Sequence, residues 1–296
     1  MSDRARVAIL NGFGRSLGDS LIGLQALAAA QALGALPARP VLFRLPGLPA
    51  AVRGAYAAAA DFAETRVLPW EHATPQHPLP AAAGFGRVID LRDFAFDPGF
   101  RGVAMIDFFL ARLGLDPAGV PPALRRNAWL APRLAPAPPQ SGYVLVCPRA
   151  SMALRDMPGP LHADLLRWLL AHAGRKVLTQ GAPVAGVAAA PRAESFAALC
   201  ALVAGAACIV SADTAMVHLA DAFAVPTLAL FTTHRPHWRV RDYPLCHALH
   251  FPPAGLPEAL EFARGPADEA AAQASWPPLD RLVPDLAALL SRAASR

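Results

Sequence analysis

Short apolar segments alternate with longer alanine- and leucine-rich segments along the 296 residues. The short segments are rich in β-branched residues and apolar throughout, which predicts strands buried on both faces. They cover 6–10, 40–45, 66–70, 87–93, 142–148, 176–181, 207–212 and 227–233. The longer segments have helical spacing and cover 19–35, 106–115, 162–174, 195–206 and 214–224, with a last amphipathic helix after Trp276. The alternation predicts an α/β architecture with parallel sheets.

One proline-rich stretch interrupts this alternation. Residues 130–142 read LAPRLAPAPPQSG, which is polar and proline-rich enough to be a linker. It separates two similar halves, each of which predicts a doubly wound domain. We therefore expect domains at 1–135 and 140–278, followed by a C-terminal helix at 279–296.

Composition and charge exclude several classes of protein. Hydrophobic residues make up 54% of the chain, which is typical of a globular protein with a large core. No apolar stretch is long enough to span a bilayer, and residues 1–10 lack a signal-peptide core, so we expect a cytoplasmic protein. The net charge of +5 is spread over scattered arginines without an aromatic-interleaved stripe, which argues against nucleic acid as a partner. Such a surface suits anionic substrates and a peripheral contact with the inner face of the cytoplasmic membrane.

The four cysteines predict neither a disulfide nor a metal site. Cys147, Cys200, Cys208 and Cys246 form no CxxC pair and have no histidine-rich neighbourhood. In a cytoplasmic chain they are expected to be small buried hydrophobic residues.

The first loop, NGFGRSLGDS at 11–20, raises the question of a dinucleotide site. Gly12 and Gly14 fit the start of the G-x-G-x-x-G fingerprint, but the third glycine comes one residue late, at Gly18. Asp19 would then lie at the start of the helix, where a dinucleotide places its negative pyrophosphate. The two anions would compete for the same backbone donors, so a dehydrogenase is disfavoured.

Asp19 itself has two interpretations. Aspartate is a common N-cap, which stabilises a helix by about 1 kcal/mol. A carboxylate on a rigid loop at the end of a strand is also suited to act as a general base. The loop alone favours the cap.

A second motif follows the predicted strand at 207–212. Asp213 or Thr214 can begin the next helix, and His218 lies one turn later on the same face. An inert cap and a buried histidine would also give this pattern. An anion at the helix start would face the backbone donors of three successive residues, Thr214, Ala215 and Met216.

The run DTAMVHLADAFAVPTLALF at 213–231, followed by TTHRPHWRVRDYP, resembles glycosyltransferase family 9, the heptosyltransferase-like enzymes. Their motif is D-[ST]-[GA]-x-x-H-L-A. In the first half, GRSLGDSLIGLQAL is similar to the family's Gly-Asp loop, with Gly18 and Asp19 in place. The stretch YVLVCPRASMALRDMP at 143–158 is similar to the first strand and basic loop of the family's second domain.

The chain departs from the family at several positions. Arg155 stands where lysine is usual, and Ala215 stands where many members have glycine. The loop QGAPVAGV at 180–187 lacks the acid expected near the donor's ribose. The chain is also short, with the shortage in the first domain, so the identity of the donor stays open.

The resemblance implies a GT-B fold, in which two Rossmann-like domains face each other across a cleft and the C-terminal helix crosses back to the first. It implies an inverting, metal-independent transfer of a heptose-like sugar from a nucleotide diphosphate, with an ADP-linked donor and no cofactor. The acceptor would be a glycan, a lipid-linked lipopolysaccharide core or a protein. Asp19 would be the catalytic base, beside an acceptor-side loop of Gly14, Arg15 and Gly18. The donor would bind at Arg155, Ser151, Gly181, Asp213, Thr214, Ala215, Met216 and His218.

Two alternatives share these motifs. One is a sugar-nucleotide-binding partner protein without turnover, and the other is a GT-B epimerase or phosphorylase. The pair Asp90 and Asp93 is not the D-x-D of metal-dependent sugar transferases, and we interpret both residues as loop or capping residues. The sequence does not indicate the oligomeric state.

Overall fold

The computed structural model describes residues 6–37, 39–100, 102–134 and 142–294. Contacts divide the chain into two compact units, Met1–Ala135 with Ser195–Ala197, and Pro136–Glu194 with Ala198–Arg296. Most of the predicted linker, 135–141, lies outside the described residues.

The first unit is built around a parallel sheet of four strands. Its elements are β1 Val7–Leu10, α1 Leu17–Ala32, β2 Val41–Arg44, α2 Ala50–Ala58, β3 Glu64–Val67, β4 Arg87–Asp90 and α3 Met105–Arg112. The strands lie in the order β3-β2-β1-β4. Strand β1 is apolar and buried along its whole length, and its Ile9 pairs with Leu42 on one side and Ile89 on the other.

The loop after β1 packs closely against α1 because Gly23 of this helix has no side chain. Phe13 is fully buried, and a Cβ added at Gly23 would lie 1.9 Å from its ring. Any larger residue at 23 would therefore displace Phe13. The ring also packs edge-on against Phe109 of α3, with 5.1 Å between centroids. These contacts fix the loop at 11–16 over the sheet.

The second unit is built around a parallel sheet of six strands. Its elements are β5 Tyr143–Cys147, α4 Gly159–His172, β6 Val177–Thr179, β7 Ala188–Ala189, α5 Phe196–Ala204, β8 Ala206–Ala212, α6 Ala215–Ala222, β9 Thr227–Phe231, α7 His237–Val240, β10 Cys246–His250, α8 Pro266–Ala274 and α9 Val283–Ala294. The strands lie in the order β10-β9-β8-β5-β6-β7. One core of this unit is built from apolar residues of the strands together with α4 and α9.

Each sheet has one point at which the strand order reverses. In the first unit the reversal lies between β1 and β4, and in the second between β5 and β8. Loops that leave the carboxyl ends of two such strands diverge and open a crevice, where doubly wound domains bind ligands. The loops after β1, β5 and β8 carry the residues singled out in the sequence.

The structure confirms the two parallel-sheet α/β domains. The pattern missed α2, β7, α7, α8 and β10, because these elements are short or only partly buried and lack a clear apolar period. No described helix is both long enough and apolar enough to span a bilayer.

One face of the C-terminal helix packs in the second unit, and the predicted return of this helix to the first domain stays a prediction. Leu282, Leu286 and Leu289 are buried in one cluster with Val144 and Leu228 of the second sheet. The helix α9 therefore completes the core of the second unit. Its apolar spacing predicted a buried face, but spacing does not say which surface that face covers.

Candidate functional site

The helix α6 begins directly after β8, at the reversal point of the second sheet. Thr214 is its N-cap, with extended backbone angles, and its hydroxyl accepts a hydrogen bond of 3.0 Å from the N–H of Met216. The cap therefore occupies one of the three donors predicted to face an anion. The backbone N–H groups of Thr214 and Ala215 also lie at this helix start, where the first N–H groups of a helix have no intrahelical acceptor.

Arg155 reaches this helix start from the loop after β5. Its Nη1 donates to Oδ2 of Asp213 over 3.1 Å, and its Nη2 donates to the hydroxyl of Ser151 over 2.9 Å. The side chains of Arg155 and Asp213 are 11% and 6% exposed, so the pair is largely shielded from water. The structure thus brings together Arg155, Ser151, Asp213 and Thr214, which the sequence placed in one site.

Asp213 stays ionised in this setting. Burial alone would raise its pKa, but the charges of Arg155 and His234 outweigh burial and hold the pKa below its usual range. A buried carboxylate that is firmly negative keeps the guanidinium beside it in a fixed place. Arg155 is therefore an oriented cation next to two backbone donors, which is an arrangement suited to a phosphate group.

Two residues of this cluster were not predicted from the sequence. His234, in the loop after β9, is 2% exposed and has its Nδ1 3.6 Å from Oδ2 of Asp213. Its Nε2 lies 2.9 Å from Oε2 of Glu261, which follows β10. The place of His234 at the end of a parallel strand was a usable signal. Glu261 lies in an aperiodic segment and gave none.

His218 faces into the protein. Its Nδ1 lies 2.8 Å from the hydroxyl of Tyr243, and the residue is 3% exposed. Burial lowers the pKa of His218 to about 4, although the carboxylate of Asp213 acts in the opposite direction. The imidazole is therefore neutral at pH 7, and these contacts favour a role in orienting the loop over the direct contact with the donor that the sequence predicted.

Gly181, after β6, lies in a tight part of the second unit. A Cβ at this position would come within 2.5 Å of Pro148 and 2.7 Å of His162. Its N–H donates to the hydroxyl of Thr179 over 3.0 Å. The glycine lets this loop lie close to the end of β5, on the other side of β5 from Asp213.

In the first unit, the loop after β1 has left-handed backbone angles at Asn11, Gly12 and Gly14, with φ values of 72°, 54° and 89°. The hydroxyl of Tyr56 accepts a hydrogen bond of 3.0 Å from the N–H of Phe13. It also lies 2.5 Å from the position of a Cβ on Gly12, so a side chain there would break this contact. The glycines therefore serve the tight packing of the loop.

Asp19 lies in the first turn of α1 and is half-buried. The N-cap is Ser16, whose hydroxyl accepts a hydrogen bond of 3.1 Å from the N–H of Asp19. The interpretation of Asp19 as the cap is therefore wrong, since a serine three residues earlier has that role. Its Oδ2 lies 3.6 Å from the position of a Cβ on Gly14, which places the carboxylate against the loop after β1.

The other acceptor-side residues differ in exposure. Arg15 is exposed and its guanidinium lies 5.2 Å from the ring centroid of Trp70, which is itself 54% exposed. Gly18 is half-buried in the first turn of α1. Their predicted contact with an acceptor stays a prediction.

Asp90 and Asp93 lie at the end of β4 and just after it. Asp90 ends β4 and accepts a hydrogen bond of 2.9 Å from Nε of Arg92, whose side chain is 5% exposed. Burial would raise the pKa of Asp90, but its hydrogen bonds with Arg92 lower it. Asp93 precedes a short 3-10 turn and makes no capping bond there.

The cysteines are unpaired, and three are buried while Cys246 is half-buried. Burial raises the pKa of Cys200 to about 12 and that of Cys208 to about 11, so these thiols are protonated and unreactive. Within the described ranges, histidine, cysteine and acidic side chains form no group of three arranged to hold a metal ion.

Comparisons with known proteins identify similar sequences and folds. A family model described as glycosyltransferase family 9 (heptosyltransferase) matches residues 126–244, the stretch that holds Arg155, Asp213 and His218. No curated protein matches the chain.

Several solved structures are similar over nearly the whole chain. Escherichia coli ADP-heptose LPS heptosyltransferase II is 14% identical, with a TM-score of 0.65 over 97% of this chain and 99% of that one. The family 9 glycosyltransferase of Veillonella parvula is 12% identical, with a TM-score of 0.61 over 97% of each chain. Escherichia coli heptosyltransferase WaaC with ADP-2-deoxy-2-fluoro heptose is 17% identical, with a TM-score of 0.56 over 82% of this chain and 92% of that one. These similarities show a shared two-domain fold.

The family match covers the second-unit motifs and the fold similarity extends across both units. Residues 126–244 therefore match the model of glycosyltransferase family 9, the heptosyltransferase family, and this match supports a glycosyltransferase.

Proposed function

We propose that this protein transfers a heptose-like sugar, with inversion and without a metal ion, from an ADP-linked donor to a hydroxyl group. The acceptor is a glycan, a lipid-linked lipopolysaccharide core or a protein. The observation that carries the proposal is Arg155, held by Asp213 beside the start of α6 at the reversal point of the second sheet. The solved complex of WaaC with an ADP-linked fluoro heptose supports the choice of nucleotide.

The leaving group determines what the second unit has to supply. As the bond between the anomeric carbon and the diphosphate oxygen breaks, its electron pair moves to that oxygen. Arg155 and the backbone donors of Thr214 and Ala215 stabilise the charge that develops there. The start of α6 adds the positive end of its helix dipole. Side-chain and backbone groups of this chain thus stabilise the charge on the leaving diphosphate, which is why we propose a metal-independent reaction.

The acceptor hydroxyl loses its proton as its oxygen attacks the anomeric carbon. We assign this proton to the carboxylate of Asp19. Because Ser16 caps α1, the Asp19 carboxylate is not needed as the cap. The half-buried carboxylate lies against the loop after β1, where it can accept the proton of an acceptor hydroxyl.

A donor screen tests the proposal. Melting temperatures of the protein would be measured with ADP-, GDP-, UDP- and dTDP-linked sugars. A ligand at 100 times its dissociation constant stabilises the fold by about 2.7 kcal/mol. We expect the largest stabilisation with the ADP-linked sugar. Absence of stabilisation by any of the four would contradict the proposal, and donor binding without product would favour a non-catalytic binding protein.

A further inference from the structure

Glu261 is held beside the donor site by contacts that the family motif does not include. The segment 251–264 follows β10, and the N–H of Ala259 in it donates to the carbonyl of Thr233 over 2.9 Å. The second attachment is the contact of 2.9 Å between Glu261 and His234. Both attachments are to the loop after β9, so this segment has a fixed position next to Asp213.

The Glu261 side chain is anchored at one end and open at the other. Its partner His234 is 2% exposed, whereas the carboxylate side chain is 47% exposed. Burial would raise the pKa of Glu261, but the contact with His234 and the charge of Arg155 lower it to about 2. The chain therefore presents an ionised carboxylate to solvent close to its diphosphate-binding arginine.

The exposed part of the Glu261 carboxylate requires a hydrogen-bond donor, which an ionised diphosphate does not offer. It accepts hydrogen bonds and has none to donate, so the negative phosphates repel it. The other groups of a sugar nucleotide near its phosphates are the hydroxyls of the ribose and of the transferred sugar. The loop at 181–187, where the family places an acid near the ribose, contains no acidic residue.

Resting on the proposed function, we infer that Glu261 binds a pair of hydroxyl groups of the donor and is a specificity-determining residue of this transferase. His234 anchors the carboxylate, and the exposed edge of the carboxylate accepts hydrogen bonds from the two hydroxyls. The ligand class is a nucleotide-linked sugar or its ribose, recognised through vicinal hydroxyls.

The test compares the wild type with Glu261→Gln by calorimetric titration of four ligands. Pyrophosphate has no hydroxyl pair, 2′-deoxy-ADP has lost the ribose pair, ADP has the ribose pair, and ADP-heptose adds the sugar. Glu258→Gln is the matched control, because Glu258 lies on the same segment but pairs with Arg235 at the surface. Glu261→Asp, which keeps the charge and shortens the reach, guards against a failure of Glu261→Gln to fold.

We expect Glu261→Gln to bind pyrophosphate at least as well as the wild type and to bind ADP-heptose about 10–100-fold more weakly. A loss that is already present with ADP and absent with 2′-deoxy-ADP assigns the ribose hydroxyls, and a loss confined to ADP-heptose assigns the sugar. Equal losses for all four ligands, or no loss for any, would overturn the inference. If the wild type binds neither ADP nor ADP-heptose, the proposed function itself fails.

Discussion

Arg155 and Asp213 are 58 positions apart in the chain, and their side chains meet over 3.1 Å at the start of α6. The parallel sheet makes this contact possible, because β5 and β8 are neighbours and their carboxyl ends lie side by side. A buried anion thereby orients the cation of Arg155.

Removal of the guanidinium tests this arrangement. Arg155→Ala should weaken the binding of nucleotide diphosphates by about 1.5–3 kcal/mol, the range for a lost charged hydrogen bond. The buried charge of Asp213, left without this partner, would repel the ligand further. Arg149→Ala is the control, since Arg149 belongs to the same loop but is 75% exposed. Unchanged affinity for ADP in Arg155→Ala, measured by calorimetry, would mean that the arginine does not touch the diphosphate.

The buried His218 should make the free energy of unfolding depend on pH. Its pKa is about 4 in the folded protein against the ordinary 6.5 of a histidine, so the unfolded chain takes up a proton between these two pH values and the folded protein does not. The contribution of the neutral His218 to the free energy of unfolding is fully present above pH 6.5 and is lost as the pH falls towards 4. The loss amounts to at most about 3 kcal/mol of unfolding free energy.

Denaturant titrations of the wild type and His218→Gln between pH 7 and pH 4 measure this effect. The wild type should lose more stability over that interval than the variant, which has no proton to gain at this position. His77→Gln, which replaces an exposed histidine, serves as the control and should follow the wild type. Parallel curves for the wild type and His218→Gln would show that the buried histidine is not the cause.

Arg92 organises a long irregular stretch of the first unit. Besides its contact with Asp90, its Nη1 donates to the carbonyls of His72, Thr74 and His77 over 2.9, 2.7 and 2.7 Å. Arg92→Ala leaves these carbonyls without that donor and should cost about 2–4 kcal/mol of unfolding free energy.

Thermal or chemical unfolding of Arg92→Ala checks this value against a surface pair. Arg167 and Asp164 are 64% and 56% exposed, and Arg167→Ala should change stability by less than about 1 kcal/mol. Similar small effects of the two substitutions would show that the carbonyl contacts of Arg92 are replaced by water at no cost.

The C-terminal helix should be indispensable to the second unit. Leu286 is fully buried in the core that also contains Val144 and Leu228, so Leu286→Ala should destabilise by about 2–5 kcal/mol. Truncation after residue 278 removes this whole face and should give insoluble protein. Ala288→Ser, on the exposed side of the same helix, is the control. A truncated chain with the melting temperature of the wild type would contradict the packing.

The apolar pattern was sufficient for the fold class and for most strands, because parallel strands buried on both faces are apolar throughout. The family motifs were sufficient to group Arg155, Ser151, Asp213 and Thr214 in one site. His234 was missed although its position after the end of β9 was a usable signal. Glu261 was missed because residues 251–264 have no periodic pattern and meet the site through tertiary packing. The Ser16 cap had a usable signal, a serine three residues before Asp19, but an aspartate at a helix start is an equally common cap and the sequence does not rank the two.

The rate of sugar transfer by the Asp19→Asn variant tests the central claim, that Asp19 is the catalytic base, most directly. Asparagine has nearly the size and polarity of aspartate but cannot accept the acceptor's proton. With Ser16 as the cap, the melting temperature should change little. The measurement is the rate of sugar transfer from the ADP-linked donor, with donor affinity and stability determined on the same protein. We predict normal donor affinity and a rate lower by about 10²–10⁴, the usual contribution of a general base. A rate equal to that of the wild type, or a loss of activity in proportion to a loss of folded protein, would contradict the assignment of Asp19 as the base.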